Sequence, residues 1–333
     1  MSSPAIKSLG RLPPLPTIKE ILKLYNVHAL KSLSQNFLLD PKLSSKFVSM
    51  ARPIKNKTVL EVGPGPGSIT RAILQQNPRY VIAIEKDRRF TPALKLLQEV
   101  AHGRLLIGMG DILSLDMFKL FPEDSKCSWE DDLPPIHLMG NLPFNVSLPL
   151  SILWLKGISE KSSAWNYGRV PMTLTFQEEV AIRMVAPAKH EERCRFSVMC
   201  QNWCDINYHF TIPGRAFLPK PNVNVGVVTL VPKIKPVVDM KFKLFEKFCH
   251  NLFSTKRKYC KTSMMTLFPV NKRIELTQKL MSVADVDPTK TAVDLTQDEI
   301  SRLANTYGLL IEEHPSLQHY NYRGPDRLHE MNI

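Results

Sequence analysis

No apolar run in this chain approaches the ~18 residues of a membrane-crossing helix, so a membrane-spanning class is not expected. Cysteine is sparse. Six in 333 residues do not make a disulfide scaffold, and no two form a CxxC pair. Cys194, Cys200 and Cys204 stand six and four residues apart, a poor zinc spacing, so no metal is expected. Reduced, mostly buried thiols are the plainer reading and point to a reducing compartment. A secretory signal is missing as well, because charges and prolines interrupt Ile6 to Leu15. Acid is nearly absent from the front of the chain: the first 60 residues hold ten Lys/Arg against Glu20 and Asp40 alone. That bias is weakly of the organelle-targeting kind, though poor in Arg. There is no internal repeat and no low-complexity segment.

What the chain does have is positive charge, +13 in all, and a length that suits two domains. The surplus suggests a polyanionic partner, nucleic acid first and an acidic membrane surface second. It is localised. Residues 251–273 contain six Lys/Arg and no acid, whereas the 60 residues beyond carry ten acids and five bases. Lys256, Arg257, Lys258 and Lys261 are the candidates for gripping phosphates without reading sequence.

The chain is organised around Val59 to Gly67, Val-Leu-Glu-Val-Gly-Pro-Gly-Pro-Gly. A buried strand ends at Val62, Gly63, Gly65 and Gly67 open a turn, and Ser68 to Gln75 read as a helix. This is a nucleotide-binding device. It is not the dinucleotide fingerprint, whose last glycine would fall on Ser68. An acid, Glu61, at the strand end suits a cationic ligand better than a pyrophosphate. S-adenosyl-L-methionine carries an ammonium and a sulfonium and no phosphate. A plain glycine-rich turn between core elements is the bland alternative.

Ahead of this loop, Thr17 and Glu20 form a capping box for a helix with an apolar stripe of Ile18, Ile21, Leu22 and Tyr25. Its Lys19 and Lys23, with Lys31 beyond, face either phosphate or solvent. Gln35 and Asn36 beside Phe37 and Leu38 can offer amide hydrogen bonds and an apolar lid to a ligand; a turn explains them equally. A second helix is read from Pro41 to Met50.

From Thr58 to Met139 strands and helices alternate, which argues for a parallel sheet. The second strand ends at Glu85-Lys86-Asp87, where an acid is placed to take two ribose hydroxyls. The third ends at Gly110-Asp111-Ile112, where Asp111 can accept an adenine amino group and Ile112 can pack on the ring. Ligands in such sheets sit at the carboxyl ends of strands, and Glu61, Glu85 and Asp111 all lie there. Residues 122–135 read as a loop. The fourth strand, Ile136 to Gly140, leads into Asn141-Leu142-Pro143-Phe144. A side-chain amide oxygen and a nearby backbone carbonyl can both accept from one exocyclic NH₂, Pro143 fixes the turn, and Phe144 offers a ring to a base. Two acceptors favour a pyramidal, nucleophilic nitrogen and strengthen as positive charge develops on it. The methyl of a sulfonium needs no strong base. Further strands are expected at Met172 to Gln177, Asn207 to Ile212 and Val223 to Val231, the last two as a hairpin at the sheet edge. Helices are expected at Glu179 to Val185, Phe242 to Phe253, Lys256 to Leu267, Arg273 to Met281 and Thr296 to Leu310.

Together Gln35-Asn-Phe-Leu38, Glu61-Val-Gly-Pro-Gly-Pro-Gly67, Glu85-Lys86, Gly110-Asp111 and Asn141-Leu-Pro-Phe144 resemble the motif series of the ribosomal RNA adenine dimethyltransferases. Phe176-Gln177 with Glu179-Val-Ala181 and Arg183, and Phe217-x-Pro219-x-Pro221-x-Val223, continue it. The lead-in from Leu12 to Asp40 is similar to the mitochondrial branch, also named mitochondrial transcription factor B. The resemblance runs from about residue 12 to 265. Glu178 stands where the family usually has Lys, Asn224 where Asp is usual, and Lys256-Arg257-Lys258 where two arginines precede Lys. The first and third of these departures could change RNA contacts.

The resemblance implies an α/β, Rossmann-like class I methyltransferase with a mostly parallel seven-stranded sheet, plus a small C-terminal all-helical domain. The expected division is an N-terminal extension over 1–33 with a targeting bias and a helix, a methyltransferase domain over 34–235 and a helical RNA-binding domain over 236–333. The implied activity is dimethylation at N6 of two adjacent adenines in a hairpin loop of mitochondrial small-subunit rRNA, in the matrix, by a monomer working on the assembling small subunit. Gln35, Asn36, Leu38, Glu61, Gly63, Gly65, Glu85, Lys86, Asp111, Ile112 and Asn141 would hold the cofactor. Asn141 to Phe144 would hold the target base, flipped from its stack. One alternative is a non-enzymatic nucleic-acid-binding cofactor serving the mitochondrial transcription machinery. Another is a methyltransferase for DNA or a protein amide, the last disfavoured by the basic cluster.

Overall fold

A computed structural model describes residues 12–30 and 33–324. The expected targeting bias at the N-terminus and Lys31 therefore fall outside the described residues. The strands are β1 (Phe37–Leu38), β2 (Thr58–Val62), β3 (Tyr80–Glu85), β4 (Leu105–Met109), β5 (Ile136–Gly140), β6 (Met172–Gln177), β7 (Cys204–Ile212), β8 (Phe217–Leu218) and β9 (Val225–Pro232). The helices are α1 (Ile18–Leu24), α2 (Pro41–Ser49), α3 (Ser68–Gln75), α4 (Thr91–Val100), α5 (Phe144–Ser159), α6 (Glu178–Val185), α7 (Arg195–Trp203), α8 (Phe242–Leu252), α9 (Cys260–Met264), α10 (Arg273–Val283) and α11 (Gln297–Glu313).

Seven strands form one sheet in the order β4-β3-β2-β5-β6-β9-β7. The run from β4 to β6 is parallel, and β9 joins β6 antiparallel. β2 and β5 are buried along their whole length, as strands covered on both faces must be. The last two long strands, β7 and β9, lie side by side at one edge of the sheet, as expected. Of the two, β9 joins β6 and β7 forms the rim, with β4 on the opposite rim. A row of polar side chains crosses the sheet there. His137 Nε2 lies 2.9 Å from the Thr173 hydroxyl, Thr173 lies 3.0 Å from Thr229, and His209 Nε2 lies 2.8 Å from Thr229. Burial pushes the pKa of His137 down to about 3, so its ring stays neutral. Each hydroxyl thus finds a partner in an apolar interior.

The chain divides into two compact units, and the expected single cut after residue 235 is replaced by a discontinuous one. The first unit runs to Ala181 and resumes for Asn207–Pro232; the second takes Ile182–Ile206 and everything from Lys233 on. The N-terminal helix is not a separate extension. The expected capping box forms, and Ile18, Leu22 and Val27 are buried in one cluster with Phe37, Phe90 and Leu94 of the first unit. Arg71 of α3 donates to the Pro16 carbonyl at 2.6 Å.

β1 and β8 pair with each other, Phe37 with Leu218 and Leu38 with Phe217, where a ligand-facing turn was expected around Asn36. Two-residue strands carry no period that a sequence could show. In the second unit the expected helix from Lys256 begins only at Cys260. Lys256, Arg257 and Lys258 instead sit in an exposed turn between α8 and α9, with Lys261 exposed on α9. All six cysteines are free, four of them buried.

Candidate active site

Four parallel strands, β2 to β5, end on one side of the sheet, and their ends line one cavity in the first unit. Every residue expected to hold the cofactor or the base lines it: Gln35, Asn36, Leu38, Glu61, Gly63, Gly65, Glu85, Lys86, Asp111, Ile112, Asn141, Leu142, Pro143 and Phe144.

Gly63 opens the loop with φ +65, a left-handed conformation that glycine adopts without strain. A Cβ built there meets nothing within 4 Å, so the backbone borders open space. Gly67, with φ +89, caps α3 against Leu97. Glu61 is 1% exposed, and its Oε2 has no hydrogen-bond partner among the described residues. Burial pushes its pKa up to about 8; Thr70 opposes the rise and Glu85 adds to it. An orphaned carboxyl oxygen in a cavity wall calls for a donor or a cation from a ligand. The residues present therefore fit the ammonium-bearing end of S-adenosyl-L-methionine.

Glu85 does more than wait for a ribose. Its Oε2 accepts from the Gly65 N–H at 2.9 Å and its Oε1 from the Asp87 N–H at 2.8 Å, so it braces the glycine loop. Burial raises its pKa, and those backbone donors oppose the rise. Each oxygen keeps lone-pair capacity for a hydroxyl. Asp111 is paired with Lys86 at 2.7 Å and accepts from the Leu113 N–H at 3.0 Å. The Lys86 ammonium and that N–H hold its carboxyl below the usual range. An adenine amino group there would share Asp111 with Lys86.

Gln35 and Asn36, both on the cavity wall, also make hydrogen bonds within the protein. Gln35 Nε2 donates to Asp87 at 2.8 Å and its Oε1 accepts from the Leu30 N–H at 3.0 Å. The side chain ties the N-terminal segment to the end of β3. Burial works against Asp87, but hydrogen bonds from Arg89 and Gln35 keep its pKa low. Asn36 turns its own amide to the Ser34 carbonyl at 3.2 Å, and its contribution to the site is its backbone. Asn141 Nδ2 donates to the Asn36 carbonyl at 2.8 Å, and Asn141 Oδ1 accepts from the Thr175 hydroxyl at 2.9 Å. Sequence reasoning missed Thr175. The signal was faint: a threonine two positions from another threonine in an otherwise apolar strand. Phe144 opens α5 half-buried at the cavity wall.

The match to a family model decides the class: the model of ribosomal RNA adenine dimethylase covers residues 26–307. The chain belongs to this family. It is 46% identical over 331 residues to the dimethyladenosine transferase 1, mitochondrial, of Xenopus laevis, covering 99% of this chain and 96% of that one. It is 48% identical over 316 residues to the Homo sapiens protein of the same name, covering 95% and 91%. Among solved structures, a dimethyladenosine transferase from Plasmodium falciparum aligns with a TM-score of 0.64 at 22% identity, over 82% of this chain and 96% of that one. The 23S rRNA methyltransferase ErmE aligns with a TM-score of 0.58 at 18% identity, over 81% and 98%. Those two likenesses carry the fold, a Rossmann-like methyltransferase. As a member of the family, the chain is an adenine dimethyltransferase.

Proposed function

We propose that this chain uses S-adenosyl-L-methionine to dimethylate N6 of two adjacent adenines in a hairpin loop of mitochondrial small-subunit rRNA. It does so as a monomer in the matrix, on the assembling small subunit. The observation that carries the reading is the place of Asn141, on the wall of the cavity that Glu61, Glu85 and Asp111 also line. The names of the relatives, which are mitochondrial dimethyladenosine transferases, support the compartment and the target base.

Glu61, the Gly63 backbone and Leu38 would surround the methionine end, Glu85 the ribose, and Lys86, Asp111 and Ile112 the adenine. A cofactor held there would supply an activated sulfonium methyl for transfer to the amine nitrogen, which would give up one proton to solvent. Asn141 Oδ1 and the Leu142 carbonyl would accept from the target amine, so that its lone pair is no longer spread into the ring. Pro143 holds the turn that presents that carbonyl. Phe144 would stack on the base. Lys256, Arg257, Lys258 and Lys261 would hold RNA phosphates, since they are exposed and unopposed by acids in sequence.

The test is incubation with labelled S-adenosyl-L-methionine and small-subunit rRNA, followed by nucleoside analysis. N6,N6-dimethyladenosine at two adjacent positions is expected. A protein that binds RNA and cofactor yet leaves every RNA unmodified would overturn the reading in favour of a nucleic-acid-binding cofactor for transcription.

A further inference from the structure

The two inward-facing threonines of β6 serve different ends. Thr173 is spent on the buried row with His137 and Thr229. Thr175 is 1% exposed, its register partner on β9 is the apolar Val227, and its hydroxyl reaches Asn141 Oδ1 at 2.9 Å. The other end of the same carboxamide meets the Asn36 carbonyl. A carbonyl only accepts, so the nitrogen of Asn141 must face Asn36 and the oxygen must face Thr175. Flipping the amide would lose the bond to Asn36 and set oxygen against oxygen there. One further lone pair remains on Oδ1, and its direction is set by the first.

We propose that Thr175 is a positioning residue for the methyl transfer: its hydroxyl aims the free lone pair of Asn141 Oδ1 at the target amine. The proposal rests on the reading of Asn141 given above. It has a consequence particular to dimethylation. An unmodified adenine amine offers two hydrogens to two acceptors, Asn141 Oδ1 and the Leu142 carbonyl. After the first transfer a single hydrogen remains, so orientation rests on one bond instead of two. A loosened Asn141 should therefore slow the second transfer more than the first.

The experiment compares Thr175→Val, Thr175→Ala and Thr175→Ser with wild type and with Asn141→Ala. In the cofactor-free ¹⁵N-labelled protein, the Asn141 side-chain amide signals should move and exchange faster in the Val and Ala variants and return in Ser. With a two-adenine hairpin RNA and saturating cofactor, loss of the hydroxyl should slow single-turnover dimethylation about tenfold, the effect of one lost hydrogen bond. N6-monomethyladenosine should accumulate, cofactor affinity should hold, and Ser should stay within about threefold of wild type. The product ratio separates this from mere loss of stability, and either apolar variant suffices if the other does not fold. Wild-type rate and product ratio in Thr175→Val or Thr175→Ala, with Asn141→Ala impaired, would overturn the role of Thr175 alone. Wild-type activity in Asn141→Ala would instead overturn the reading beneath it.

Discussion

Glu178 and Asn224 hold each other: Asn224 Nδ2 donates to Glu178 Oε2 at 3.0 Å, and the Glu178 N–H donates to the Asn224 carbonyl. Thr211 donates to Glu178 Oε1 at 2.7 Å, and Asn224 Oδ1 accepts from the Gly214 N–H at 3.2 Å. At these two positions the chain departs from the family's usual Lys and Asp. The two departures meet in the structure, a neutral amide facing a carboxylate. Glu178 is thus held by Thr211 and Asn224 of the same unit. Glu178→Lys alone sets an ammonium against an amide N–H and should lower stability by about 1 kcal/mol. Adding Asn224→Asp should recover most of that loss in a denaturant double-mutant cycle. Strictly additive effects would uncouple the two positions.

Glu61 should make cofactor binding depend on pH. Its carboxyl is held at about 8 in the folded protein against an ordinary 4.5. Between those values the folded protein keeps a proton that the unfolded chain has lost. Its share of stability is therefore fully present below about 4.5 and is lost as pH rises through 8. A cationic ligand favours the ionised form, so binding should release a proton below pH 8 and tighten as pH rises towards it. Calorimetry in buffers of differing ionisation enthalpy measures that proton directly. Glu61→Gln should abolish the release, and an unchanged proton count in that variant would assign it to another group.

How far the sequence alone reaches depends on whether a residue's partner lies nearby in the chain. Strands β2, β5 and β6 and helix α3 are readable almost to the residue, because hydrophobic runs and glycines mark their limits locally. The strand-end acids come with that pattern. Gln35 reads as a ligand contact because a side-chain amide has several possible partners, and the one it takes, Asp87, lies 52 residues away. The β1–β8 pairing joins segments about 180 residues apart, and α5 escapes notice because it is apolar nearly all round with Pro149 inside it. The basic residues 256–258 look helical by continuity with Cys260 to Met264, yet the helix starts only at Cys260.

Those basic residues should set the salt dependence of RNA binding. Replacing Lys256, Arg257, Lys258 and Lys261 with Ala should lower the slope of log K against log salt by about 0.7 for each single-strand phosphate no longer neutralised. Affinity for unrelated RNA should fall by a similar factor, since phosphate contacts carry no sequence. Filter binding across a salt series reads both, and an unchanged slope would make the cluster a merely solvated turn.

Asn141→Ala should remove most methylation while leaving most cofactor affinity. The side chain stands just beyond β5, clamped between the Asn36 carbonyl and the Thr175 hydroxyl, with one lone pair to offer. Deleting it leaves the Leu142 carbonyl as the amine's remaining acceptor. The lost acceptor matters most in the transition state, where the nitrogen gains positive charge. By analogy with the loss of one oxyanion donor, the single-turnover rate should fall about 10²–10³-fold at saturating cofactor. Phe144→Ala should slow the reaction by a different route, weakening base stacking by about 1–3 kcal/mol and so raising the RNA concentration needed. The two variants therefore separate in a titration: excess RNA rescues Phe144→Ala and does not rescue Asn141→Ala. If Asn141→Ala transfers methyl groups at close to the wild-type rate, the residue is a turn former and the acceptor must be sought elsewhere in the cavity wall.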